Sequence, residues 1–266
     1  MVDSYLEPNG NPKHDRRIRK ELGLRHHPFR IFLKVVFTFF FVAALLVGNV
    51  IIFHNLYFKS FFVNGQSMYP TLNGNATCAS GLLIGPEQGC GDNGTTVEYG
   101  IMDTHKNAID SIRRFDIIVT AYEADDTKDK IKRVIAMPGE TFYFTSTARD
   151  EATNGDLYII PEGESEGVLI PQNFGDISII RHKDYSSAMI PKQSSPLTLA
   201  DNEYYVMGDN RPISSDSSSA GPILYEYIKG VAVAIEGTCT LVCNGAECRA
   251  ENVRFHWPRS LRWQDE

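Results

Sequence analysis

Val35 to Phe53 reads VVFTFFFVAALLVGNVIIF, an apolar run broken only by Thr38, Gly48 and Asn49. As a helix at roughly 1.5 Å per residue, these nineteen residues reach about 28 Å, the depth of a bilayer core. No other feature constrains the chain as strongly, because a span of this length puts the segments on its two sides on opposite faces of a membrane. A cleaved secretory leader is the competing reading. Such leaders carry about 7–15 apolar residues and a small-residue cleavage pattern. This run is longer, and it leads into His54, Asn55, Leu56, Tyr57 and Phe58. An uncleaved anchor at residues 35–54 is therefore expected.

Charge orients the anchor. Residues 1–34 carry eight basic and four acidic side chains, which leaves 18 of the 26 basic and 29 of the 33 acidic residues to the rest of the chain. Lys and Arg beside a span favour the cytoplasmic side, so residues 1–34 read as a solvated cytoplasmic tail and the remainder as extracytoplasmic. Tyr57, Phe58, Phe61 and Phe62 suit a membrane interface, which would put the next residues close to the bilayer surface. The acidic body argues against a nucleic-acid partner, since phosphate binding needs a basic face.

Beyond the anchor the patterns are mainly β. Glu98–Asp103, Phe115–Tyr122, Lys130–Met137, Glu203–Met207 and Ile228–Val242 are rich in β-branched and aromatic residues. Asn73 to Thr96 reads as an irregular loop, with Cys78 and Cys90 placed to close it by a disulfide outside the cytoplasm and sequons at Asn75 and Asn93. Cys239, Cys243 and Cys248 bring the cysteines to five, an odd number that leaves the pairing open. Residues 140–200 carry shorter strand patterns between Gly, Glu, Asn and Ser. The expected organisation is a catalytic core at 55–139 and 201–249, an inserted β subdomain at 140–200 and a C-terminal tail at 250–266.

Three short blocks carry the chemistry. The first, GQSMYPTL at Gly65–Leu72, offers a hydroxyl at Ser67 among apolar neighbours. Taken alone, a serine between glycine and proline is an ordinary turn residue. The second, IKRVIAMPGE at Ile131–Glu140, sets Lys132 in a partly buried strand. The third is GDNRPISSDSSSAG at Gly208–Gly221. Together with RRFDIIV at Arg113–Val119, and in this order behind an N-terminal anchor, they resemble the type I signal peptidases, membrane-bound serine proteases with a Ser–Lys dyad. The blocks cover about a fifth of the chain.

The resemblance implies a single transmembrane helix followed by a coiled β-sheet catalytic core with a smaller inserted β subdomain. It makes Ser67 the nucleophile and Lys132 the general base, with Lys130 left facing solvent. Ser214 matches a serine that hydrogen-bonds the lysine, and Asp216 matches a supporting acid. The family arginine after Asp-Ser is Ser218 here, so the ion pair holding Asp216 is missing unless Arg211, beside Asp209 in the same block, replaces it. Val63, Met68, Leu72 and Ile131 match the walls of pockets for small side chains, as in Ala-X-Ala. The Ser67 N–H is the expected oxyanion donor, and Gly65 leaves a second donor unnamed.

The activity implied is cleavage of signal peptides from exported preproteins at the cytoplasmic membrane, without metal or cofactor. The partners are preproteins, the lipid bilayer and, by location, the secretion translocon. Lysine chemistry is intelligible here: an ammonium with an ordinary pKa of ~10.4 cannot take a proton at neutral pH, but burial can lower it by up to ~3–5 units. Narrower or different readings are a peptidase for one substrate class, a non-catalytic assembly chaperone and a Ser–His hydrolase using His54, His105, His182 or His256. The chaperone would be expected to lack Ser67 or Lys132, and no histidine sits in a triad context. A Ser-x-x-Lys enzyme is excluded because Pro70 holds the lysine position.

Overall fold

A computed structural model describes residues 28–73, 95–123, 129–147, 152–172, 174, 179, 185, 189–244 and 247–261. The chain forms two compact units, Met1–Leu56 and Tyr57–Glu266.

The first unit is described through helix α1, Pro28–Tyr57, which is long and apolar enough to cross a membrane. It starts earlier than the expected anchor. Pro28 suits the first helical position because its missing N–H would have no partner there, and the chain stays helical through Arg30 and Lys34. The cytoplasmic tail read at 1–34 is thus already helical over its last seven residues. Asn49 satisfies its amide inside the helix by donating to Leu45 O at 2.8 Å, which a polar group in hydrocarbon requires.

The second unit is built on two antiparallel sheets. The larger contains β1 (Phe58–Phe62), β2 (Thr95–Asp103), β3 (Ile117–Thr120), β4 (Lys130–Ala136), β9 (Glu203–Met207), β10 (Ile223–Leu224), β11 (Ile228–Asn244) and β12 (Glu247–Ser260), in the order β1-β2-β11-β3-β4-β9-β10 with β12 also on β11. The smaller, β7-β6-β5-β8, comprises β5 (Thr141–Phe144), β6 (Leu157–Ile160), β7 (Val168–Ile170) and β8 (Leu197–Thr198). The described residues of the unit also form short helices α2 (Lys106–Asp110) and α3 (Ser217–Ala220) and a 3-10 turn at Tyr225–Tyr227. The mainly β architecture agrees with the sequence reading.

Strand β11 organises the larger sheet. It pairs with β3 at its start, with β2 along most of its length and with β12 toward its end, and register shifts between Ala232 and Ala234 and between Ile235 and Gly237 bend it. One core cluster joins Ile135, Ala136, Tyr205 and Met207 of the large sheet to Phe142, Phe144 and Leu157 of the small one. Another gathers Val63, Met68, Leu72, Ile117, Ala232, Ile235 and Leu261. Burying an apolar side chain of this size contributes about 1.5–3 kcal/mol, so this second cluster fixes the turn around Ser67 firmly.

The fold corrects two sequence expectations. Residues 250–260 are not a tail, since β12 runs to Ser260 and pairs with β11 from Asn244↔Glu247 to Ala234↔Ser260. Its Val253, Phe255 and Trp257 are exposed, so the buried–exposed alternation that marks a strand in sequence is missing and backbone pairing makes the element. Phe61 and Phe62, read as interface aromatics, lie in β1 and pack against protein clusters. Cys78, Cys90 and the asparagines of both sequons, Asn75 and Asn93, lie outside the described residues.

Candidate active site

Ser67 lies on a tight turn after β1. Gly65 adopts φ +110, which side chains rarely allow, and Met68 and Leu72 sink into the core. The resulting turn leaves Ser67 half-buried at the wall of a cavity of about 790 Å³. Lys132 reaches the same cavity from β4, where its residue pairs with Ile118 of β3. The lysine is only 3% exposed. Its Nζ donates to Ser67 Oγ at 3.0 Å and to Ile131 O at 2.9 Å.

Burial pushes the Lys132 ammonium down to about pKa 8, assisted by the charge of Lys130 and opposed by Asp216 and Asp209. Desolvation wins because the nearest acceptors, a hydroxyl and a carbonyl, carry no full negative charge. Lys130 itself does not simply face solvent; it is half-buried and lines the cavity.

The Gly208 block packs beneath this pair. Asn210 N–H donates to Ser67 O at 3.0 Å and Asn210 Nδ2 to Gln66 O at 3.1 Å, fixing the backbone on which Ser67 sits. A Cβ on Gly208 would lie 2.2 Å from Ser67 O and 2.4 Å from Ser214 Oγ, so only glycine allows this approach. Asp209 is fully buried and receives Arg133 Nε at 2.8 Å and Nη2 at 2.6 Å, together with the Thr71 hydroxyl. The ring of Phe174 covers the Arg133 guanidinium, 3.9 Å from the centroid.

The supporting residues depart from the sequence expectation in two respects. Ser214 Oγ is buried and has no hydrogen-bond partner among the described residues, so the expected bond to Lys132 is absent; both Lys132 contacts are taken by Ser67 and Ile131. Arg211 does not replace the family arginine at Asp216. Its three nitrogens donate to Gly208 O, Tyr185 OH and Gln172 Oε1, which satisfies a fully buried cation without a carboxylate contact among the described residues. Ser218, at the family arginine position, supplies two donors itself: its N–H at 3.0 Å and its hydroxyl at 2.6 Å both reach Asp216 Oδ1. Asp216 Oδ2 accepts the Gly208 N–H at 3.0 Å.

Of the four residues matched to pocket walls, only Ile131 lines the cavity. Val63, Met68 and Leu72 are at most 2% exposed and form core under it, because the turn directs them inward. Phe61, Met102, Val119 and Ile213 supply the apolar wall instead. The sequence reading also missed Arg133, Thr71 and Asn210. Arg133 stood in plain view beside Lys132 in a β-rich block, but nothing local marks its distant partner.

Chemically, the geometry offers a hydroxyl within hydrogen-bond reach of an amine that is largely desolvated, in an open apolar-walled groove. Ser67 N–H donates to no acceptor among the described residues. His105 caps α2 and meets the Tyr57 ring edge to face, and His256 contacts Trp257 O, so neither bonds Ser67. Among the described residues no cluster of three His, Cys, Asp or Glu side chains could hold a metal.

Residues 33–236 match the family described as signal peptidase, peptidase S26. Signal peptidase I S of Bacillus subtilis (strain 168) is 30% identical over 176 residues, covering 66% of this chain and 71% of that protein. Signal peptidase I of Streptococcus pneumoniae serotype 4 is 29% identical over 227 residues, covering 77% and 92%. A crystal structure of a signal peptidase I from Enterococcus faecalis V583 is 26% identical, covers 46% of this chain and 96% of that one, and has a TM-score of 0.31.

Proposed function

This chain belongs to the signal peptidase family, peptidase S26, and we propose that it cleaves signal peptides with Ser67 as nucleophile and Lys132 as general base. Membership makes it a serine endopeptidase acting on preprotein signal peptides, and α1 suits membrane anchoring. The observation that carries the dyad is the 3.0 Å contact between Lys132 Nζ and Ser67 Oγ, made by a lysine that burial has pushed down to about pKa 8.

Neutral Lys132 takes the Ser67 proton as Oγ attacks the scissile carbonyl. The oxyanion forms against the Ser67 N–H, and a preorganised donor of this kind contributes roughly 2.7–4 kcal/mol by mutational measure. Lys132 then returns the proton to the departing amine, the new N-terminus of the mature protein, and leaves an ester between Ser67 and the signal peptide. A water deprotonated by Lys132 hydrolyses the ester and restores Ser67.

The substrate lies extended. Among the described residues strand β4 pairs with β9 only from Arg133 onward, which leaves the β9 side of Ile131 and Lys132, beside the cavity, for a peptide strand. Phe61, Ile131, Met102 and Ile213 suit small side chains such as those of Ala-X-Ala. The basic residues of 1–34 favour a cytoplasmic N-terminus at the cell membrane, with Tyr57 onward on the extracytoplasmic face, where the secretion translocon delivers preproteins. The organisation that goes with this is a catalytic body of residues 55–139 and 201–260, with β12 included, carrying 140–200 as an insertion.

Cleavage of a model preprotein by the detergent-solubilised full chain tests the reading, with the new N-terminus sequenced. Wild type should cut after a small residue, while Ser67→Ala and Lys132→Ala leave the preprotein intact. Binding without any cleavage by wild type would favour the assembly-chaperone role.

A further inference from the structure

The turn that carries Ser67 is closed at its neck by Asn73, a fully buried residue whose Nδ2 donates to Val63 O at 2.7 Å and to Gly65 O at 3.0 Å. One side chain thus holds the approach to Ser67. Asn73 itself sits at φ +60, a conformation asparagine tolerates. Glu98 of β2 grips it twice: the Asn73 N–H donates to Glu98 Oε2 at 2.7 Å, and the Glu98 N–H donates to Asn73 Oδ1 at 2.9 Å. The other carboxylate oxygen, Oε1, receives Arg259 Nη2 at 2.9 Å, and Arg259 Nη1 reaches Thr71 O at 3.1 Å. Arg259 lies on β12, beyond the family match that ends at residue 236.

We infer that Arg259 is a positioning residue for Ser67, acting through Glu98 and Asn73, and that the C-terminal strand is part of the catalytic support. The inference rests on the reading of Ser67 as nucleophile. Glu98 is 8% exposed, and a buried carboxylate must be met by donors. Without Arg259 its best course is to turn toward water and release the Asn73 N–H, which loosens the neck of the turn. A reactive group misplaced by about 1 Å can cost ~10²-fold in rate. Asn73, Glu98 and Arg259 all stand outside the cavity lining, so substrate binding should be spared. The effect belongs in kcat.

The test compares full-length wild type, Arg259→Ala, Arg259→Lys, Glu98→Gln, the Arg259→Ala/Glu98→Gln double variant and Arg254→Ala on the same strand, with a model preprotein and a thermal melt for each. Arg259→Ala should lower kcat about tenfold or more with KM within about twofold of wild type. Arg259→Lys should recover part of that loss, because an ammonium can meet Glu98 or Thr71 O but not both in the bidentate manner of a guanidinium. The double variant should be no slower than Arg259→Ala, since both changes break one chain of contacts. If Arg259→Ala does not fold, Arg259→Lys against Glu98→Gln carries the comparison. Unchanged kcat in Arg259→Ala, or an equal loss in Arg254→Ala, overturns the inference while Ser67→Ala remains inactive. Activity in Ser67→Ala would instead overturn the nucleophile assignment beneath it.

Discussion

Lys132 Nζ stands 3.0 Å from Ser67 Oγ although the two residues are 65 positions apart and come from a β-turn and an interior strand. Three backbone restraints hold the serine side of that contact: the Asn210 N–H on Ser67 O, the Asn210 amide on Gln66 O, and Asn73 at the neck of the turn. On the lysine side, the ladder to β3 fixes the residue while burial removes water from its amine.

Gly208→Ala should impair this relationship from below. The added methyl would fall 2.2 Å from Ser67 O, a backbone atom that can move only by dragging the nucleophile with it. Overpacking of this kind costs about 1–3 kcal/mol. A lower melting temperature and a reduced kcat are both expected, with the rate loss persisting at temperatures where the variant is fully folded.

Ser218→Ala removes the hydroxyl that donates to Asp216 at 2.6 Å in a buried setting. Hydrogen bonds to a charged group contribute about 1.5–3 kcal/mol, and denaturant titration of the full chain in detergent should read a loss in that range. Ser218→Arg, which installs the residue the family pattern has, should not rescue stability. Position 218 is 3% exposed and has no room for a guanidinium.

What the sequence made legible were local features. A membrane-length apolar run, β-branched strands and three short blocks led to the mainly β fold behind one helix, and to Ser67 and Lys132 as a pair. Contacts between distant residues were not legible. Nothing near Arg133 announces that its guanidinium closes on Asp209, or that Phe174 covers it. Val63, Met68 and Leu72 looked like pocket walls because the motif fixes their spacing from Ser67, but only the path of the turn decides which side chains face the groove. Strand β12 was hidden because exposed aromatics on a strand carry no alternating signal.

The depressed pKa of Lys132 has a consequence for stability. Its folded-state value is about 8, below an ordinary value near 10.5, so between these limits the unfolded chain still holds a proton that the folded one has lost. Stability contributed by this group therefore rises with pH across that window, and the burial cost is felt in full below it. Relative to Lys132→Met, wild type should gain on the order of 3 kcal/mol between pH 8 and about 10.5, read from paired denaturant titrations.

The central claim is that Lys132 works as a neutral base toward Ser67, and the pH dependence of kcat/KM tests it most directly, since that ratio reports the free enzyme. It should rise about tenfold per pH unit below an inflection near pH 8, then level off, and Lys132→Ala should lose both the rate and the inflection. A wild-type profile that is flat from pH 6 to 10, or one that turns near the ~6.5 of a histidine, would contradict it.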